Sequence, residues 1–158
     1  MITKYLPEFK VVEVNNLTGL RNGHMLSQVK VGADITKTSD GKWIENGIVV
    51  GLSNNGTIEN YNASKHKTMF LHYTEELLTI LPELKYFAVP VEGDTYIRAI
   101  ALYTGDTFTT NNYVGESGVA AKVVNGVLTL QSSAEGADFI ATKSTLPDGS
   151  VAYEFMKI

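Results

Sequence analysis

The chain contains no cysteine among its 158 residues. That excludes disulfides, thiolate metal centres and cysteine nucleophiles, and it leaves the fold to be held by packing and hydrogen bonds. Arginine is scarce as well, with Arg21 and Arg98 the two examples, and 13 basic residues face 17 acidic ones for a net charge of -4. Nucleic-acid binding draws on a basic stripe that displaces counterions from phosphates, and no such stripe runs along this chain. Nucleic acid is therefore not an expected partner. No apolar run approaches the roughly 18 residues that would cross a bilayer. The opening Met1-Ile2-Thr3-Lys4-Tyr5-Leu6-Pro7-Glu8 has neither the charged start nor the apolar core of a secretion signal. A membrane is not an expected partner either.

What is present is ordinary globular composition, 44% hydrophobic and 19% charged, without the shift that would mark a second domain. A chain of this size buries roughly 70% of the surface its unfolded form exposes, enough for one core of its own.

Turn dipeptides are the clearest signal. Asn22-Gly23, Asn46-Gly47, Asn55-Gly56 and Asn125-Gly126 are joined by Asp40-Gly41 and Asp148-Gly149. Asn, Asp and Gly tolerate the positive φ of primed turns, so each pair marks a place where the chain reverses. Between them lie runs rich in Val, Ile, Thr, Tyr and Phe, which fit a pleated, half-buried surface. Gln28 to Ile35 and Ser150 to Lys157 alternate, whereas Gly47 to Leu52 and Lys85 to Val89 are continuous apolar runs read as buried strands. Thr95 to Tyr103 is apolar on both faces apart from Arg98, the mark of a central strand. Val119 to Val124 and Val127 to Gln131 flank Asn125-Gly126 as one hairpin.

One segment reads as a helix. Thr74 is placed as an N-cap, Glu75 and Glu76 favour the positive end of the dipole, and Pro82 stops the run. The fold class is thus mainly β, a compact β-barrel or β-sandwich with one short helix near residues 74–82. Residues 17–158 form the β domain. Residues 1–16 are either its first strand or an arm that pairs with a neighbour, since edge strands and swapped arms share a sequence signature.

Chemistry-bearing constellations are few. His66 and His72, six apart, are too distant on a strand and off a common face on a helix, so they read with His24 as surface or hydrogen-bonded histidines. Glu92, Asp94 and Asp106 sit in turns, where a carboxylate bonds nearby backbone more readily than it pairs for glycosidase chemistry. The calcium loop, the phosphate-cradling loop and the dinucleotide fingerprint are missing, and Ser117 lacks the spacing of a nucleophile elbow. Neither an enzyme, a metal site nor a cofactor is expected. Trp43 reads first as a core residue, and alternatively as a side chain that stacks on a sugar or anchors a partner.

Three stretches carry a resemblance. They are Val31-Gly32-Ala33-Asp34-Ile35 with Ile44 to Leu52, then Tyr96 to Phe108 with its Gly105-Asp106-Thr107-Phe108 turn, then the Asn125-Gly126 hairpin with its closing strand. In this order, over about the last four-fifths of the chain, they resemble capsid decoration (cement) or head-fibre proteins of tailed bacteriophages. The resemblance implies a virion protein on the outer capsid surface, synthesised in the host cytoplasm. It would dock on the major capsid protein and stabilise contacts between capsomers, as a homo-trimer or a monomer, without cofactor or catalytic residue. The arm reading then assigns Tyr5, Leu6, Phe9, Val11, Val12 and Val14 to capsid binding by strand addition. The alternative is a host-recognition or carbohydrate-binding module of a tail fibre or baseplate, with Trp43, Tyr61 and Tyr113 on one open surface. An enzyme with dispersed carboxylates ranks third, and two close carboxylates in a concave pocket would favour it.

Overall fold

The computed structural model describes residues 9–74 and 88–158. Fourteen strands occupy them: β1 Val12–Asn16, β2 Met25–Lys30, β3 Trp43–Glu45, β4 Val49–Leu52, β5 Ile58–Asn60, β6 Phe70–His72, β7 Ala88–Pro90, β8 Tyr96–Ala101, β9 Thr107–Thr110, β10 Tyr113–Val114, β11 Ala120–Val124, β12 Val127–Gln131, β13 Phe139–Thr145 and β14 Val151–Lys157. One five-residue helix, α1, spans Thr18–Asn22.

The strands form a seven-stranded sheet in the order β1-β9-β14-β13-β11-β12-β10, a five-stranded sheet β2-β8-β6-β4-β5 and a pair β3-β7. Pairing is antiparallel except between β10 and β12. Each sheet ends on strands with one neighbour, so no barrel closes and the sandwich alternative is the one observed.

The sheets stack because of how apolar residues alternate. In β4, Val49 joins the core shared with the seven-stranded sheet and Val50 the core on the other side. Leu71 and Phe70 of β6 divide the same way, as do Ile100 and Ala99 of β8. Opposite faces of a strand point to opposite sides, so three strands apolar on both faces become a middle layer with a core on each side. The first core is closed by Phe108, Phe139 and Phe155 of the large sheet, all fully buried, with Phe108 and Phe139 packed edge to face at 5.7 Å. The second is closed by Ile35, by Ile44 of β3 and by Val89 of β7. Each such aromatic or branched side chain contributes roughly 1.5–3 kcal/mol by leaving water.

Several expectations meet this arrangement directly. The central strand read at 95–103 is β8, flanked by β2 and β6. The Asn125-Gly126 hairpin joins β11 to β12 in register, with Asn125 at φ 50° and Gly126 at φ 78° as a primed turn requires. Two differ. The alternation from Gln28 to Ile35 stays in a strand only to Lys30, because Gly32 donates to the Ile58 carbonyl and turns the chain across the β5 end. Asn22-Gly23 is not a hairpin but the end of α1, with Gly23 as its left-handed cap. The helix read near 74–82 lies, beyond Thr74, outside the described residues.

Candidate functional site

Strand β5 ends at the edge of the middle sheet, and the segment after it folds back by its own hydrogen bonds. Asn62 Oδ1 accepts from the Ser64 amide (2.9 Å) and hydroxyl (2.7 Å), an Asx turn that lets the Asn62 carbonyl accept from the His66 amide. The His66 ring closes the loop. Its Nδ1 accepts from the Asn62 amide at 2.9 Å, which leaves Nε2–H to donate to Glu59 Oε1 at 2.8 Å. Buried, the ring lies on the backbone of Gly51 in β4, where a Cβ would stand 2.3 Å from its Cγ. Glycine is therefore required there by close approach rather than by a turn.

Across from this loop stands the β11–β12 turn, docked on the middle sheet by its backbone. Val49 N–H donates to the Gly126 carbonyl at 2.8 Å, and the Thr36 hydroxyl to the Asn125 carbonyl at 2.7 Å. Asn60 supports the junction by accepting from the Thr36 amide and donating to the Asp34 carbonyl. Beside the turn, Asp138 Oδ2 accepts from Val123 N–H at 2.8 Å. Between loop and turn opens a cleft of about 660 Å³, lined by Asp34, Glu59, Tyr61, Lys65, Lys122 and Asp138 among others. Tyr61, half-buried on its wall, has its phenol pKa raised by burial and then by the Asp138 charge.

Other buried polar groups serve the fold. Asp106 accepts from the Thr18 amide (3.1 Å) and hydroxyl (2.7 Å) through one oxygen, and from Tyr103 N–H (2.9 Å) through the other. It pins α1 to the turn between β8 and β9. His72, fully buried, meets the Glu45 carbonyl through Nδ1 and the Thr74 hydroxyl through Nε2, both at 2.9 Å. A carbonyl only accepts, so Nδ1 carries the proton, and burial pushes the imidazole pKa down to about 4. Among the carboxylates read in turns, Asp94 pairs with Lys30 at 3.0 Å on the surface and Glu92 is exposed. Among the described residues, no three His, Asp or Glu side chains converge to hold a metal. No helix of the described residues is long and apolar enough to cross a membrane.

The residues assigned to a capsid arm are placed as follows. Tyr5 and Leu6 lie outside the described residues. Phe9 packs on Trp43 with ring centroids 4.9 Å apart, and Val11 and Val12 are buried in the chain's own cores. Val14 packs against the larger core from β1, whose partner is β9. At these described positions the side chains pack within the domain, while β1 is an end strand of the seven-stranded sheet.

The three aromatics read as a binding surface sit on three different elements. Trp43 is on β3, Tyr113 on β10 against Tyr153 at 5.1 Å, and Tyr61 in the loop after β5. Each is partly buried, and Tyr61 is the one that lines the cleft. Sequence reasoning missed Asp34, Glu59, Lys65, Lys122 and Asp138. The signal within reach was local: Asn62 two before Ser64 and four before His66 is an Asx turn waiting for a ring. Comparison of the chain with family models, with curated proteins and with solved structures finds no match.

Proposed function

We propose that the chain is a non-enzymatic structural protein of a tailed-bacteriophage virion, docked on the outer capsid surface and stabilising contacts between capsomers. What supports the non-enzymatic part of this reading is the use made of the three buried groups Asp106, His66 and His72. Both oxygens of Asp106 and both ring nitrogens of His66 and His72 are engaged by the chain itself, so none offers a free reacting atom. General acid–base or nucleophilic chemistry needs such an atom within reach of a substrate.

What the domain offers a partner is a sheet edge. Strand β10 bonds β12 on one side, and Val114 on it is 56% exposed. A strand of the major capsid protein added there would pair with the outer edge of β10 and pack against Val114. Many copies on one shell turn modest contacts into firm attachment. The resemblance of the 31–35, 44–52, 96–108 and 125–158 segments supplies the virion setting.

The test is copy number in purified virions, by quantitative gel densitometry against the major capsid protein. Hundreds of copies in fixed ratio to the shell subunit support decoration. A few copies would move the protein to tail or fibre, and complete absence would end the virion reading. Binding of a Val114→Lys variant to assembled shells then tests the edge: undiminished binding removes β10 from the interface.

A further inference from the structure

The cleft between the β5 loop and the β11–β12 turn is built from groups that the fold leaves unused. The hydroxyl of Tyr61 and the carboxylate of Asp34 make no hydrogen bond among the described residues. Glu59 and Asp138 each use one oxygen, on His66 and on the Val123 amide, and keep the other free. Lys65 and Lys122 have no ion-pair partner among the described residues. The cleft's volume lies within the span of small-ligand sites, roughly 300–1,000 Å³. Its walls are held by backbone and buried side chains, so the free groups stand on a rigid frame.

The chemistry of this lining narrows the ligand. Three carboxylates against two lysines oppose a phosphate or sulfate. A divalent cation needs several converging oxygens, and among the described residues no three acidic or histidine side chains converge. A purely apolar ligand would leave six charged or polar groups facing it. A neutral molecule rich in hydroxyls matches all of them, because each hydroxyl both donates to a carboxylate and accepts from an ammonium or phenol. The slightly positive C–H face of a pyranose also meets the electron-rich face of a tyrosine ring.

We propose that this cleft binds one unit of a neutral glycan, its hydroxyls held by Glu59, Asp138, Lys65 and Lys122 and its ring face set against Tyr61. The role is separate from capsid docking and uses a different part of the fold, so a failure of either leaves the other standing. A protein attached to a shell through β10 would in this way carry a weak adhesive for polysaccharide surfaces, strengthened by copy number.

The experiment is a titration of the ¹⁵N-labelled full chain with glucose, galactose, mannose and N-acetylglucosamine, each to about 50 mM, a range that registers millimolar binding. The expected result is saturable amide shifts at Asn62, Lys122, Val123 and Asp138 with at least one of the four sugars. Tyr61→Ala should weaken that binding at least tenfold. Asp138→Asn retains an acceptor for the Val123 amide, so it tests the cleft even where Tyr61→Ala fails to fold. The proposal is overturned when none of the four sugars shifts these amides, or when the shifts survive both substitutions. Shifts here with inorganic phosphate or calcium alone would equally overturn it, by assigning the cleft to an ion.

Discussion

Gly51→Ala tests the packing of the β5 loop most sharply. Position 51 lies in β4 without a left-handed backbone angle, so alanine is conformationally acceptable. On that count alone the substitution would stabilise the protein by about 0.4–1 kcal/mol, by restricting the unfolded chain. The added methyl would however stand 2.3 Å from His66 Cγ and 2.5 Å from its Cδ2 and Nδ1, against ordinary contacts of 3.4–4 Å. The ring must retreat by about 1 Å, which is beyond the tolerance of a hydrogen bond. Its bonds to Glu59 and to the Asn62 amide, 2.8 and 2.9 Å, are then both lost. Leaving such groups unsatisfied in a buried site costs about 1–3 kcal/mol each, so the clash outweighs the entropic gain. We expect a net loss of about 2–4 kcal/mol. Urea unfolding at fixed m-value measures it, and repeating Gly51→Ala in a His66→Ala background isolates the cause. There the methyl meets empty space and the loss should vanish. An equal loss in both backgrounds, or none in either, would refute the reasoning.

Three further outcomes follow from particular residues. At pH 6 His72 is protonated far more readily in the unfolded chain, where an imidazole titrates near 6.5, than in the fold, where burial holds its pKa at about 4. Its contribution is therefore complete above 6.5 and is lost as pH falls from 6.5 through 4, by about 3 kcal/mol in all. Urea midpoints at pH 7, 5.5 and 4.5 should show that slope, and His72→Gln should flatten it. Asp106→Ala strands the buried-side donors of Thr18 and Tyr103, and should cost about 2–5 kcal/mol in the same assay while speeding amide exchange in α1. Gly126→Ala combines a left-handed φ of 78° with a Cβ 2.6 Å from Asn60 Oδ1. It should lower the melting temperature more than Gly149→Ala, where φ is 86° but the space is open.

How far the sequence reveals the molecule depends on the range of each interaction. The Asn125-Gly126 hairpin was legible because its turn chemistry and both its strands lie within thirteen residues. The status of β8 as a central strand was legible from apolar residues on both its faces. That this strand belongs to a middle layer was not, because the same pattern serves any sheet covered on two sides. α1 escaped notice because five residues are too short for a helical period, and its ending Asn22-Gly23 is also a hairpin signature. The cleft draws on positions near 34, 59–65, 122–125 and 136–138, which only the docking of the β11–β12 turn brings together. Tyr61 was singled out from its residue type, but its separation from Trp43 and Tyr113 depends on tertiary placement.

The order of the seven-stranded sheet has a consequence for how the protein is made. Its two parts, β1-β9 and β13-β11-β12-β10, are joined by backbone hydrogen bonds through β14, which pairs with β9 on one side and β13 on the other. That strand leaves the ribosome after the other thirteen. Until it does, the nascent chain carries two bare edges flanked by Phe108 and Phe139, the kind of surface that recruits another chain. A chain cut short before Val151 would keep both parts of that sheet but lack the strand that joins them.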